Sequence, residues 1–469
     1  MKEKIYFYYT NDLHSNFSQW PRVAKYINDV KEKRNTTNES CWVVDIGDHM
    51  DRVHPISEAF MGKENVALLN EVGYDFVTLG NNEGITLAHD DLFHLYDKAE
   101  FQVVCANLHS KDDILPDWLN PRVQIKSFQG INIGIIGLTA PFNDYYELLG
   151  WEVSDPYVVL EKYISELKKS TDIIVILSHL GISEDQEIAR RFDDVDVIIG
   201  GHTHHLLRTG EEVNQTIITA AGKHCYHIGE VILTWDHEEK KLMKKEAYTI
   251  DITEYAEDTQ IAEKLVALQT EADQILAKRV ITIDESISID WYTNSTIMQH
   301  LTDYILANTA ADCAMFNAGL LLDNFPTGDI TYGDIHRACP HPINPCIVEL
   351  TGAELMEVIR ATYTKEFIDL ELKGFGFRGK ILGKMVFSGL DVITDYHPNG
   401  QEYVLHVYFD DKPLVVDQVY KVVTADTFTF GRILPEVAKS TYKSYVLPKF
   451  IRDFLAETLQ VHYGKRFQQ

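Results

Sequence analysis

The sequence predicts an α/β protein of two domains, and three observations carry that prediction. Short apolar runs of strand length alternate with segments whose apolar residues follow helical spacing. In the N-terminal half each run stops at a polar loop holding Asp, Asn or His, the pattern expected where strand ends converge on one site. The length of 469 residues exceeds what one core usually holds, so two sizeable cores are expected.

Taken in order, residues 5–9 run into Thr10-Asn11-Asp12-Leu13-His14, and residues 41–45 into Gly47-Asp48-His49-Met50-Asp51. Residues 76–79 lead to Gly80-Asn81-Asn82-Glu83, residues 173–177 to Ser178-His179, and residues 195–199 to Gly200-Gly201-His202-Thr203-His204-His205. Residues 57–71 and 156–169 read as intervening helices, the second with its charges on one face. His202 and His204 form the most suggestive pair. In an extended loop, side chains two apart leave the backbone on roughly the same side, so both imidazoles can serve one metal or each of two neighbours. Residues 254–277 carry leucine and isoleucine at three- and four-residue spacing among charges and read as a connecting helix. A second α/β region follows from Ile281 to near Phe467, with no internal repeat. The expected division is 1–250, a connector over 251–279, and 280–469.

Composition narrows the function. A net charge of −28 disfavours a nucleic-acid binder, which needs a basic face, but not an enzyme for a small anion, because local cations can invert the field in one pocket. The six cysteines show no CxxC pair and no disulfide-scaffold spacing, so reduced thiols are expected. No run of about 18 apolar residues suggests a membrane span, and MKEKIYFYYTNDLH has no signal-peptide core. A cytoplasmic protein is the expectation.

Singly, the polar blocks say little: Asp-x-His and Gly-Asp arise by chance, Ser-His is commonest as a structural histidine, and Gly-Asn marks a turn. Their order, Asp-x-His, Gly-Asp, Gly-Asn, His, Gly-His-x-His, each after a strand, resembles the calcineurin-like metallophosphoesterases, and within them the 5'-nucleotidase family with its additional C-terminal domain. The resemblance extends over almost the whole chain, with less specific motifs in the second half. It implies an N-terminal metallophosphoesterase β-sandwich flanked by helices and a 5'-nucleotidase-type C-terminal domain that recognises substrate. It further implies two divalent metal ions. One is held by Asp12, His14, Asp48 and His204 and the other by Asp48, Asn81, His179 and His202, with Asp48 as the bridge. That donor mix suits Mn, Zn or Fe better than Ca. Two such ions about 3.5 to 4 Å apart supply a hydroxide at neutral pH and neutralise phosphoryl charge. The implied reaction is hydrolysis of phosphate esters or anhydrides of nucleotides or related small molecules, without nucleic-acid or membrane partners.

The chain also departs from the family. The third block normally reads Gly-Asn-His-Glu, its histidine contacting phosphate or protonating the leaving group with the help of an aspartate. Here Asn82 stands at the histidine position and Ile85 at the aspartate position. An amide can donate a hydrogen bond to phosphate but delivers no proton, which is worth about 10²- to 10⁴-fold in rate. His49, in the loop 49–54, is a candidate substitute; the alternative is that Asp51 and Arg52 pair locally and the histidines are solvated. His205, His224 and His227 are assigned structural or surface roles. In the second half the family pattern Asn-x-Gly-Gly-Ile-Arg becomes Asn317-Ala318-Gly319-Leu320-Leu321-Leu322, so Leu322 replaces a phosphate-binding arginine. Phe428 and Phe430 are candidates to stack on a base, although their alternation equally fits a buried strand end. Two other readings stay open: a metal-containing sensor that binds a phosphorylated ligand without turnover, and a phosphodiesterase.

Overall fold

Alternate residues of the apolar strands face two different layers, and this builds the first unit. In the strand Ile173–His179, Ile173, Val175 and Leu177 point into one core while Ile174 and Ile176 point into another. The first core also takes Ile5, Phe7, Tyr9, Val44, Val104, Val231 and Leu233 from a facing sheet. The second takes Leu160, Ile164 and Leu167 of the helix Pro156–Leu167 and Ile188 of the helix Ile182–Arg191. The result is a sandwich of two sheets with helices on an outer face.

One sheet has seven strands in the order Lys241–Asp251, His227–Asp236, Lys2–Thr10, Ser40–Asp45, Phe76–Val77, Gln102–Val104, Leu119–Asn120. The other has six, in the order Glu211–Val213, Thr216–Thr219, Val197–Gly200, Ile173–His179, Asn132–Thr139, Arg122–Lys126. Lys2–Thr10, Ser40–Asp45 and Phe76–Val77 are parallel, as are Asn132–Thr139, Ile173–His179 and Val197–Gly200. Parallel neighbours end on the same side, so each set of polar loops emerges from one edge of its sheet. Gly137 lets the sheets approach, since a Cβ there would stand 1.7 Å from the Val104 carbonyl oxygen.

The computed structural model describes residues 1–112, 114–431 and 433–464, so the expected end near Phe467 lies outside the described residues. The chain divides into two compact units, Met1–Ala272 and Asp273–Gln469. The helix expected over 254–277 spans Thr259–Leu276. Its approach is fixed to the first unit: Asp258 N–H donates to the Pro21 carbonyl, Arg22 pairs with Glu257 at 2.8 Å, and Lys264 pairs with Glu71. The helix expected over 57–71 is broken. Pro55–Phe60 and Lys63–Val72 are separate, because Met61 and Gly62 take φ of 51° and 78°, where a helix cannot continue.

The second unit holds a five-stranded mixed sheet in the order Met385–Ser388, Cys313–Asn317, Val419–Ala425, Pro345–Thr351, Lys443–Tyr445. Helices include Thr296–Ala307, Gly352–Thr362 and Ile451–Tyr463. Thr351 and Glu354 cap Gly352–Thr362 reciprocally, the Thr hydroxyl accepting from Glu354 N–H and the Glu carboxylate from Thr351 N–H. No helix among the described residues is long and apolar enough to cross a membrane.

Candidate metal centre

The loops beyond the parallel strand ends are held in a backbone conformation that side chains rarely adopt. Asp12, His14 and Ser15 take φ of 52°, 49° and 51°, Asp48 takes 50°, and His202 and His204 take 69° and 57°. The left-handed region costs a residue with a Cβ on the order of 1 kcal/mol, so the surroundings must impose it. They do so by lacing the loops together. Asp12, His14 and Ser15 donate backbone N–H bonds to the carbonyls of Gly47, Asp48 and His49 at 3.0, 2.8 and 3.0 Å. Glu83 accepts from the N–H groups of Asp48, Met50 and Gly80 at 3.0, 2.8 and 2.9 Å, tying the third loop to the second. Gly80 is required there, because a Cβ would stand 2.1 Å from Asp48 Oδ1.

This lacing gathers two clusters of potential ligands. Asp12, His14 and His204 form one and Asp48, His179 and His202 the other, the ligand atoms within each lying no more than 4.8 Å apart. His14 Nε2 lies 3.1 Å from His204 Nε2, 3.8 Å from Asp12 Oδ1 and 3.7 Å from Asp48 Oδ2. His204 Nε2 is 3.4 Å from Asp12 Oδ1, and His179 Nε2 is 3.4 Å from Asp48 Oδ1. Asp48 therefore faces an imidazole of each cluster with a different oxygen.

The donor set fits divalent cations on the structure's own terms. Asn81 Oδ1 and His179 Nε2 are buried and have no hydrogen-bond partner, which is costly unless something else meets them. His179 Nδ1 lies 2.6 Å from the Ile46 carbonyl, the outer contact that fixes an imidazole's orientation when its other nitrogen is a ligand. Burial alone would raise the Asp48 carboxyl, but the His179 imidazole overrides it and holds Asp48 well below the usual range. Burial likewise opposes charge on His179, yet Asp48 lifts it to about 10. Burial and the charge on His179 depress His202 to about 4, so His202 is already neutral, whereas His179 would have to release a proton on taking up an ion.

The structure thus brings together Asp12, His14, Asp48, Asn81, Asn82, His179, His202 and His204. His49 does not join them. Its candidacy as a substitute acid is corrected, and so is the alternative of a solvated histidine: it is 3% exposed, packed edge-on against Trp20 with centroids 4.8 Å apart, and burial depresses it to about 3. The peptide before it turns its side chain into the core while Asp48 faces the site. Arg52 binds Glu58 at 2.8 Å, and Asp51 lies with Oδ2 3.4 Å from His14 Nδ1.

Three residues near the centre escaped the sequence reading. Asp51, expected to pair with Arg52, lies beside His14. Asn11 clamps the turn at Ala221 and Gly222, donating to the Gly222 carbonyl at 2.7 Å and accepting from Ala221 N–H at 3.0 Å. His224, assigned a structural or surface role, has φ of 60° and sets its ring edge-to-face with His14 at 6.1 Å. The Gly222 that precedes it was the one available signal.

In the second unit, Asn317 is buried and its amide donates to the Leu382 carbonyl at 2.7 Å, so it holds the backbone rather than offering itself to a ligand. Phe428 is fully buried beside Phe367 at 6.1 Å, in the 3₁₀ turn Asp426–Thr429 that follows the strand, which corrects its assignment as a stacking residue; it is buried, but beyond the strand end rather than on it. Phe430 lies parallel to Phe375, centroids 6.2 Å apart and planes 10° apart. Phe375 is 48% exposed and sits at φ of 52° between Gly374 and Gly376 at 98° and 78°. No motif of the sequence marks this glycine-rich loop, so the ring it presents is visible only in the fold.

Comparison with known proteins agrees with this geometry. Residues 5–206 match the calcineurin-like phosphoesterases and residues 275–433 the 5'-nucleotidase C-terminal domain. The chain is 38% identical over 458 residues to the metallophosphoesterase YunD of Bacillus subtilis (strain 168), covering 97% of this chain and 99% of that protein. It is 23% identical to a 5'-nucleotidase of Vibrio parahaemolyticus, over 77% of this chain and 75% of the other. Among solved structures, a putative 5'-nucleotidase from Staphylococcus aureus superposes with a TM-score of 0.70 at 20% identity, covering 100% of this chain and 98% of that one. The NAD nucleotidase of Haemophilus influenzae gives 0.68 at 15% identity, covering 99% and 97%. At such identities the structural likeness speaks for the fold.

Proposed function

Because the chain belongs to the metallophosphoesterases of the 5'-nucleotidase family, a calcineurin-like phosphoesterase joined to a 5'-nucleotidase C-terminal domain, we propose that it is a dinuclear hydrolase of small phosphate esters or anhydrides, nucleotides among them. The observation that carries this reading is the pair of interlocked clusters around Asp48, with the buried Asn81 Oδ1 lacking a hydrogen-bond partner and His179 Nε2 meeting only Asp48, at 3.4 Å. Asp12, His14, Asp48 and His204 would hold one cation and Asp48, Asn81, His179 and His202 the other. Such ions supply an acidic water and positive charge for phosphoryl oxygens, with Mn, Zn or Fe suited to these donors. The chain's own residues keep the carboxylates ionised, fix the imidazoles, and leave His204, 34% exposed at the side chain, on the side where a phosphoryl group can arrive.

The reading gives the enzyme a preference set by its leaving group. No imidazole stands at position 82, so a poor leaving group must depart without the usual proton. Aryl phosphates and anhydrides should therefore turn over well and alkyl phosphates poorly. The six unbridged cysteines are in keeping with a reducing, cytoplasmic setting. Metal-loaded protein assayed for phosphate release from monoesters, diesters and anhydrides tests the whole. Tight binding with no release from any class would instead favour the sensor reading, and release from diesters alone the phosphodiesterase.

A further inference from the structure

Resting on the dinuclear reading above, we infer that Asn82, at the position of the missing acid, is a positioning residue that holds the ligand His14 rather than a group that meets substrate. Its side-chain Nδ2 lies 2.8 Å from His14 Nδ1, and the residue is only 8% exposed. Its N–H donates to Asp48 Oδ1 at 2.8 Å and its carbonyl accepts from the Thr86 hydroxyl at 2.6 Å, so backbone and side chain are both committed inward.

The chemistry of the ring decides what the amide does. His14 directs Nε2 at Asp12, Asp48 and His204. A neutral imidazole that offers Nε2 to a cation carries its proton on Nδ1, so whatever faces Nδ1 must accept it. A carboxamide does this with its oxygen, and a half-turn exchanging nitrogen and oxygen leaves the contact in place. Asp51 Oδ2, 3.4 Å from the same nitrogen, supplies a second acceptor. His14 is thus fixed on its outer side as His179 is by the Ile46 carbonyl, but by side chains instead of backbone. The substitution that removes a proton donor from the third loop installs an anchor for the more exposed cation in its place.

The test measures metal affinity by competition with a chromophoric chelator on the full chain, for the parent, His14→Ala, Asn82→Leu, Asn82→Ala and Asn82→Asp. Outer hydrogen bonds to a metal-ligating histidine are typically worth about 10- to 100-fold in affinity. Asn82→Leu and Asn82→Ala should each weaken one site by about that factor and leave the second as in the parent. Asn82→Asp, which keeps an acceptor beside Nδ1, should recover the parent value, and KM for an aryl phosphate at saturating metal should not change. Two parent-like affinities together with a raised KM in Asn82→Leu would overturn the inference in favour of a direct phosphate contact. Equal weakening of both sites, or no recovery in Asn82→Asp, would overturn it as general damage. Full retention of both metals in His14→Ala would refute the dinuclear reading itself, a separate result.

Discussion

The two halves of the metal centre are built from the same residue types in different depths of the protein. His179 and Asp48 are 0% and 3% exposed at the side chain, His179 closing its strand and Asp48 on a buried left-handed loop residue, whereas His14 and His204 are 13% and 34% exposed and both ride on left-handed loop residues. The deep half is oriented by the Ile46 backbone carbonyl, the shallow half by Asn82 and Asp51. Depth sets what each half is able to do. In the dinuclear reading, a cation enclosed by the buried groups would exchange slowly, while one held by the more exposed groups would keep positions open for a substrate.

The strongest way to break this comparison is to remove what the halves share. Asp48→Asn should empty both sites and reduce phosphate release by more than the ~10- to 100-fold typical of losing an outer hydrogen bond. Elemental analysis after chelator washing checks it, and parent-like metal content would end the bridging assignment. Next in size, His204→Ala should empty the shallow half only and His179→Ala the deep half. Isotope exchange on the parent should show one fast and one slow metal, and two equal rates would erase the distinction between halves.

A third change acts on chemistry. At saturating metal, Asn82→His combined with Ile85→Asp should raise kcat/KM for an alkyl phosphate by up to about 10²-fold, with little change for an aryl phosphate. Equal changes for both esters would mean that protonation is not what position 82 lacks.

The smallest effect sharpens the picture of the deep half. Ser178, beside His179, donates to the buried Asp185, and a Cβ on Gly200 would stand 2.4 Å from Asp185 Oδ2. Burial raises the Asp185 carboxyl to about 8 against an ordinary 3.8, with the Ser178 hydrogen bond opposing. The folded state then keeps a proton that the unfolded chain has released. The associated stability is complete below about 3.8 and is lost as pH rises through about 8, with a slope of at most about 1.4 kcal/mol per pH unit. Thermal melts of Asp185→Asn should lack this component. Parallel pH curves for variant and parent would show that Asp185 is ionised throughout.

Much of this centre is legible in the sequence because it follows from strand geometry. An apolar run of period two ends, the chain leaves the sheet, and the next polar residues emerge at its edge, which brings Asp12, Asp48, Asn81, His179 and His202 together. What the sequence withholds is the direction of each side chain beyond that point. His49 follows Asp48 directly yet enters the core, and Asn82 follows Asn81 in the short helix Asn81–Ile85 yet turns to His14, because adjacent residues leave a turn or a helix in different directions. Phe428 and Phe430 share one strand-end pattern and differ only in what the rest of the unit lays over them. Phe375 is set by three successive left-handed residues, a conformation that glycine spacing permits but does not announce.

Those left-handed residues have a consequence in time. Asp12, His14, Ser15, Asp48, His202, His204 and His224 each hold a conformation whose relaxation is blocked only by neighbouring loops and, in the dinuclear reading, by ligation. With the cations stripped, the closed loops lose part of what outweighs that local cost, so brief opening should begin there while the sandwich core stays shut. Amide hydrogens at 12–15 and 202–205 should then exchange sooner than those of the strands they follow, and slow again as metal is restored. The centre would behave as a latch on its own loops, its opening frequency set by the free metal concentration.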